Sequence, residues 1–376
     1  MAITRLGPNQ DITAAKIAGQ INFKNLIING DMSIAQRGTS TTNTSGAPYL
    51  TDRWRNQAVW GSTPPTASWT ITQSTDVPTG QGFRSSLKYD NTTAQASLTS
   101  DTGYAIEQRM EGQMLQSIKK GTSNAEQLTL SFWIKSNKTG TYVVELYDQD
   151  NTRHCAKSYT IDSASTWEKK TITYPADTTG VLDNDNNTSI KMRMWIAAGT
   201  GFTSGTLAST WASYTAANAA VGQVNLADST SNEIFLTGVQ LEVDTSASDF
   251  EFLPYDVNLQ RCERYCQTVS KRDSNENHIC LGVQYNSATL YMSYEYRTVM
   301  RGVPSLTAFS GTSAYRFYRD NTYDQFNSFT IDSPNEYNCS FYNNGQISGT
   351  QGQAGFVRWD NTGSSSGNSI ILDAEL

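Results

Sequence analysis

Strict alternation of apolar and polar side chains constrains this chain more than any other feature. In LTLSFWIKS, Leu128, Leu130, Phe132 and Ile134 fall on one face, with Thr129, Ser131, Trp133 and Lys135 on the other. IKMRMWIAAG sets Ile190, Met192, Met194 and Ile196 opposite Lys191, Arg193 and Trp195. FLTGVQLEV reads the same way, with Phe235, Thr237, Val239, Leu241 and Val243 on one face and Gln240 and Glu242 on the other. Period two over this length marks half-buried strands with one face on a core. Turn-forming stretches such as SNKTG, DQDN and DNDNN separate the runs. Many such strands with no interleaved helices predict an all-β fold, a jelly-roll β-sandwich over 25–256.

The alternation breaks once. FEFLPYDVNLQRCERYC (250–266) starts as a strand, meets Pro254 and continues with helical spacing. Asp256 or Asn258 can cap a helix there, and Leu259, Cys262, Cys266 and Val269 make one stripe of it. The spacing predicts a connecting helix over 257–271, then a second, smaller β domain over 272–376. Residues 1–24 carry too little apolar surface to fold alone and predict a segment ordered by a partner.

Length and composition bound the function. At 376 residues the chain is long enough for two or three domains. Only 17% of residues are charged, and the net charge is -7. Nucleic acid is a poor partner for such a surface, because phosphate binding needs a basic footprint. No apolar run reaches the length that spans a membrane, and the first residues lack a signal-peptide core. Five cysteines are odd in number and few for the length, which predicts free thiols and a reducing site of synthesis.

Metal and catalytic patterns are weak. Cys262, Cys266, His278 and Cys280 depart from zinc-knuckle spacing. Asp183, Asp185 and Asn187 start like a calcium loop, but Thr188 stands where Gly is needed and Met194 where Glu is needed. Two histidines give no support for a Ser-His-Asp machine. Glu107 and Glu111 read as surface charges rather than as the carboxylate pair of a glycan hydrolase. The expectation is therefore no catalytic residue, no metal and no cofactor.

Aromatic residues are more informative. Nine of the 19 tyrosines lie after residue 280. Tyr joins an apolar ring to a polar tip, which suits sugar stacking and interfaces, though ordinary strand propensity explains it equally well. YRFYRDNTYDQF, interrupted by Arg316, Arg319 and Asp320, reads as a displayed loop, and Trp359 as a residue at a strand end. Tyr315, Tyr318, Tyr323 and Trp359 are the candidate binding residues.

Several segments in order resemble bacteriophage tail proteins: NLIINGDMSIAQRGTS (25–40), YLTDRW (49–54), LSFWIKSNKTGTY (130–142), FLTGVQLEV, FEFLPYDVNLQRCERYC, MRGVPS (300–305) and the closing LDAEL. The set covers roughly 25–376. It departs from the family at Asn258, usually Glu, and at Cys266, often Tyr. The resemblance implies a virion structural protein assembled in the bacterial cytoplasm, a tail-fibre or receptor-binding subunit. Its first module would be similar to carbohydrate-binding jelly rolls. It would form a homotrimer, dock to a tail protein through 1–24 and present the C-terminal domain to a host cell-surface glycan, without membrane insertion. No catalytic residue is carried over. A capsid-decorating or tail-joining protein and a glycan-cleaving tailspike remain the alternatives.

Overall fold

The computed structural model of the chain describes residues 23–43, 49–272, 277–360 and 368–376. Residues 1–22 of the expected docking segment, and the Gly/Ser-rich stretch 361–367, lie outside the described residues.

Among the described residues, twelve strands build the first domain. They are β1 (Ser40–Asn43), β2 (Arg55–Val59), β3 (Ser68–Ser74), β4 (Ser86–Thr93), β5 (Gly103–Glu111), β6 (Leu128–Ser136), β7 (Gly140–Asp148), β8 (Arg153–Ile161), β9 (Glu168–Tyr174), β10 (Thr188–Ala198), β11 (Ala212–Ser213) and β12 (Glu233–Val243). One antiparallel sheet has the order β1-β3-β4-β12-β6-β9, the other β11-β8-β7-β10-β5-β2. The two sheets form a jelly-roll β-sandwich. Its core takes the predicted face of β6 (Leu128, Leu130, Phe132, Ile134) and of β10 (Ile190, Met192, Met194, Ile196), packed around Trp54 and Trp69.

The face read for β12 needs correction. Its register slips between Thr237 and Gln240, and Gly238 sits at φ 62°. That bulge inverts the side-chain parity. Ile234 and Leu236 face the core before it, and Val239, Leu241 and Val243 after it. Phe235 instead lies on the outer side, under the ammonium groups of Lys88 and Lys135.

The second domain has ten strands among the described residues. They are β13 (Cys266–Lys271), β14 (His278–Gln284), β15 (Thr289–Glu295), β16 (Ser305–Thr307), β17 (Tyr315–Arg319), β18 (Thr322–Phe326), β19 (Thr330–Asp332), β20 (Asn338–Asn344), β21 (Ala354–Trp359) and β22 (Ser369–Asp373). A small sheet, β13-β22-β16, covers a seven-stranded sheet, β18-β17-β21-β14-β15-β20-β19. Between them lie Leu290, Met292, Tyr315, Phe317, Phe341, Val357, Trp359, Ile370 and Leu372.

The connecting helix is shorter than its apolar spacing predicts. It runs Tyr255–Glu263 behind an N-cap at Pro254. Cys262 is buried on it, beside Ile28, Ile34 and Tyr265. Cys266 is buried too, but it opens β13, where it pairs with Asp373 near the far end of the chain. Thr268 and Val269 are β-branched, and the ladder to β22 gives them a strand to join. Residues 264–271 are therefore not helical. Asn258 does not cap the helix; its amide donates to Asp31 Oδ1 and Ser33 Oγ, both at 3.1 Å. All five cysteines are buried and unbridged.

The junction between the domains is built from parts of NLIINGDMSIAQRGTS, YLTDRW, FEFLPYDVNLQRCERYC, MRGVPS and LDAEL. Trp54 Nε1 donates to the Asn29 carbonyl at 2.9 Å, and the Asn29 amide donates to the carbonyls of Ile34 and Asp52 at 2.9 Å. Arg37 pairs with Asp373 (2.7 Å) and Glu375 (3.4 Å), and Arg53 pairs with Glu375. Arg301 donates to the carbonyls of Ala374 (2.7 Å) and Glu375 (3.1 Å). Arg264 grips Glu111 through two bonds of 2.8 and 2.7 Å, and the Tyr265 hydroxyl donates to the same carboxylate. Asp373, Ala374 and Glu375 thus lie between the two domains.

Candidate functional site

The segment read as a displayed loop is a β-hairpin. β17 and β18 pair from Tyr315↔Phe326 to Arg319↔Thr322. Asp320 (φ 45°) and Asn321 (φ 59°) form the two-residue turn, and two consecutive left-handed residues suit the right-handed twist of the strands. Alternation then assigns the faces. Tyr315 and Phe317 point into the core, and Arg316 and Tyr318 point out.

This corrects two of the four candidate residues. Tyr315 is fully buried against Phe326, Phe329 and Trp359, with ring centroids 5.3, 4.9 and 5.0 Å away. Its hydroxyl donates to the Phe309 carbonyl at 2.7 Å. Trp359 is fully buried as its cross-strand partner, and its indole N–H donates to Ser270 Oγ at 3.0 Å. Neither ring can stack on a ligand. Trp359 sits at a strand end, as expected, but on the inner face.

Tyr318 and Tyr323 do lie together on the outer face, 5.2 Å apart. The ladder extends them into a row. Tyr323 opposes Tyr318, Tyr318 opposes Phe356 on β21, and Phe356 opposes Leu281 on β14. Directly opposed residues share a face and touch. Tyr323 is 44% exposed, Phe356 49% and Leu281 62%. Beyond them, Val283 opposes Tyr291, and Tyr291 stacks on Tyr342 at 5.9 Å.

A second row runs beside the first. Gln325 opposes Arg316, Arg316 opposes Arg358, and Arg358 opposes His278. Arg316 Nε donates to Asp360 at 2.8 Å, and its guanidinium lies over the Tyr323 ring at 4.6 Å. Arg358 lies over Tyr318 (5.2 Å) and Phe356 (5.7 Å). The two rows border a cleft of about 370 Å³ lined by Tyr318, Arg319, Asp320, Asn321, Thr322, Ala354, Gly355, Phe356 and Arg358. Arg319 is taken up by Asp324 at 2.7 Å, and Asp320 accepts from the Gln353 amide. The arrangement offers flat apolar rings bordered by hydrogen-bonding groups of both kinds, which is what the two faces of a sugar ring require.

Phe356, Arg358 and His278 were not among the candidates. A signal for two of them was present: GFVRW alternates, so Phe356 and Arg358 must face away from Val357 and Trp359.

The first domain offers other places. A cleft of about 290 Å³ is lined by Phe83, Trp133, Lys169, Phe250 and Phe252. Its three phenylalanines pack on one another at 4.9–5.1 Å. On the outer face of the second sheet lies a buried ion cluster. Glu107 accepts from Arg109 (2.7 Å) and Arg193 (2.8 Å), and Glu145 accepts from His154 Nδ1 (2.8 Å). Glu107 and Glu111 are thus not surface charges: both are fully buried and held by arginines. For Glu111, burial alone would raise the carboxyl pKa, but bonds from Arg264 and Tyr265 outweigh it and keep the group below its usual range.

Asp185, in the turn that starts like a calcium loop, accepts from the backbone N–H of Asn187 at 2.9 Å. Among the described residues no group of three or more His, Cys, Asp or Glu side chains is placed to hold a metal ion. Likewise, no helix among them is long and apolar enough to cross a membrane.

No family model matches the chain, and no curated protein matches it by sequence. Several solved structures resemble it distantly. One is the enzymatically active domain of tailspike protein 4 of bacteriophage CBA120, at 14% identity and a TM-score of 0.30, covering 58% of this chain and 21% of that one. Another is the family 11 carbohydrate-binding module of Clostridium thermocellum, in complex with a β-1,3-1,4-mixed-linked tetrasaccharide. It shares 13% identity and a TM-score of 0.26, over 56% of this chain and 98% of that one. A third, TmCBM61 in complex with β-1,4-galactotriose, shares 8% identity and a TM-score of 0.27, over 59% of this chain and 100% of that one.

Proposed function

We propose that the chain is a bacteriophage tail-fibre subunit that binds a host cell-surface glycan on the outer face of its seven-stranded sheet. The observation that carries this reading is the outer-face row Tyr323–Tyr318–Phe356, with Tyr323 and Phe356 exposed, set beside a cleft with polar edges. Sugar rings stack on such faces, each stack being worth about 0.5–1.5 kcal/mol beyond the area it buries. The subunit docks to the tail through residues 1–24 and is assembled in the bacterial cytoplasm. It acts as a homotrimer, whose three copies multiply a weak single-site affinity.

The test is binding of the full chain to an array of bacterial surface polysaccharides, repeated with Tyr318→Ala and Tyr323→Ala. The expected result is binding that each substitution weakens about 5- to 30-fold while thermal stability is kept. Unchanged binding by both variants, together with loss on Trp133→Ala or Phe252→Ala, moves the site to the jelly roll. Binding to no glycan removes the reading.

One observation favours a second reading for part of the same face. Leu281 and Val283 are aliphatic and exposed, and they continue the aromatic row. Aliphatic side chains suit a chain-to-chain contact better than a sugar. If this end of the sheet closes the trimer, Leu281→Asp yields monomers in sedimentation equilibrium. If the variant stays trimeric, the contact lies elsewhere.

A further inference from the structure

Arg316 and Arg358 stand directly opposite each other on neighbouring strands. Like charges in that position repel unless something compensates them. Arg316 is compensated, because Asp360 accepts from its Nε and sits 2.8 Å away. Asp360 also accepts from the Gln325 amide. Among the described residues Arg358 is not compensated: its guanidinium makes no hydrogen bond or ion pair with any of them, and its Nε is buried without a partner. A buried N–H with no acceptor is costly, the more so when it belongs to a charged group. The guanidinium is nevertheless held in place, over the rings of Tyr318 and Phe356. Exposed His278 is its partner on the other side, with its ring 5.9 Å from Phe356. The chain as a whole carries a net charge of -7, so this cation stands against the general field.

We infer that the cleft takes an acidic sugar residue, whose carboxylate or phosphate seats on Arg358 while its ring lies on Phe356 and Tyr318. This rests on the glycan-binding reading and names the class of glycan. A guanidinium presents N–H groups in a planar fork that matches either anion. The other end of the cleft has the opposite character. Asp320 lies four residues along the chain from Arg316, or roughly 13 Å at the rise of a strand. Beside Asn321 and Thr322 it offers acceptors to neutral hydroxyls. The acid group therefore points towards the Arg358 end and the hydroxyls towards the hairpin turn. Neutral stacking contributes affinity, and Arg358 contributes the choice between acidic and neutral sugars.

The experiment uses the full chain and matched probes: oligogalacturonate, an oligomer of sialic acid, a glycerol phosphate oligomer, and the first two with their carboxyls reduced to alcohols. The expected result is binding to at least one acidic probe. Reducing its carboxyl, or raising salt from 50 to 500 mM, should weaken that binding about 10-fold or more. Arg358→Gln should produce the same loss on the acidic probe, so that the variant no longer distinguishes the acidic form from the reduced one. Arg358→Lys should retain most of the preference for acid. A galacturonate or sialate response assigns the anion as a carboxylate, and a glycerol phosphate response assigns it as a phosphate. Equal affinity for acidic and reduced forms, or no effect of Arg358→Gln, overturns the inference while glycan binding stands. Binding to none of the acidic probes also overturns it, and the neutral members of the polysaccharide array then decide the parent reading. If acidic binding survives Tyr318→Ala and Phe356→Ala unchanged, both readings of this cleft fail.

Discussion

The Arg53 guanidinium lies on the face of the Tyr265 ring, 3.4 Å from its centroid. Arg53 comes from the YLTDRW segment of the first domain, and Tyr265 from the stretch between the helix and β13. Both are almost completely buried. Around them, Glu111 accepts from Tyr265 and Arg264, and Glu375 pairs with Arg53. The contact thus ties three distant parts of the chain to one point. YLTDRW, RCERYC and LDAEL meet in this joint.

Arg53→Ala removes the nearest cation from Glu375 and the stacked cation from Tyr265. Stripping one partner from a buried ion pair costs roughly 3–5 kcal/mol. Urea unfolding should show a loss of that size. A loss below about 1 kcal/mol would mean that water enters the junction and solvates Glu375.

Gly238→Ala strains the β12 bulge twice over. The position needs φ 62°, and a Cβ there would lie 2.5 Å from the end of the Phe83 ring. The left-handed backbone costs about 1–2 kcal/mol and the clash about as much again. The melting temperature of the variant should fall by several degrees. The double variant with Phe83→Leu should recover only the part due to the clash.

Asp52 makes the junction sensitive to pH. Burial raises its carboxyl from an ordinary 3.8 to about 6, against the opposing pull of Arg37 and the Gln36 hydrogen bonds. The folded state therefore holds this proton more tightly than the unfolded state. Its stabilising contribution is complete below the unfolded value and is lost as pH rises through about 6. The difference is on the order of 3 kcal/mol. Stability of the wild type relative to Asp52→Asn should therefore decline between pH 4 and pH 7. Parallel stability curves for the two proteins would remove Asp52 as the titrating group.

Trp359→Ala and Tyr323→Ala should separate packing from binding. Trp359 is fully buried, and truncating such a residue costs about 3–5 kcal/mol. Any loss of adsorption by that variant should come with a lower unfolding midpoint. Tyr323 is exposed, so Tyr323→Ala should leave the midpoint within about 0.5 kcal/mol and weaken glycan binding alone. Equal destabilisation by both would show that the outer row is structural.

Removing residues 1–22 should leave the fold intact. Lys24 and Asn25, which follow, are anchored: their backbone N–H groups donate to Glu251 at 3.3 and 3.1 Å. The truncated chain should keep its circular dichroism and its glycan binding but fail to enter virions. Normal incorporation would place the docking surface elsewhere.

The sequence by itself determined the strands of its strictly alternating runs, such as β6 and β10, because period two is a local property. It is why the core faces of β6 and β10 could be read directly. It did not determine which face of a strand is inside. YRFYR has an aromatic residue on both faces, and only the covering sheet β13-β22-β16 decides that Tyr315 is core and Tyr318 is surface. Nor did it determine where Cys266 goes. Helical spacing and a strand run both fit that stretch, and the choice is made by Asp373 across the ladder, more than a hundred residues away. Glu107 and Glu111 look like solvent charges for the same reason. Their partners Arg193 and Arg264 lie 86 and 153 positions further along, and a buried carboxylate is stable only where such a partner is brought to it. Local alternation writes the strands; long-range pairing decides what is buried and what is neutralised.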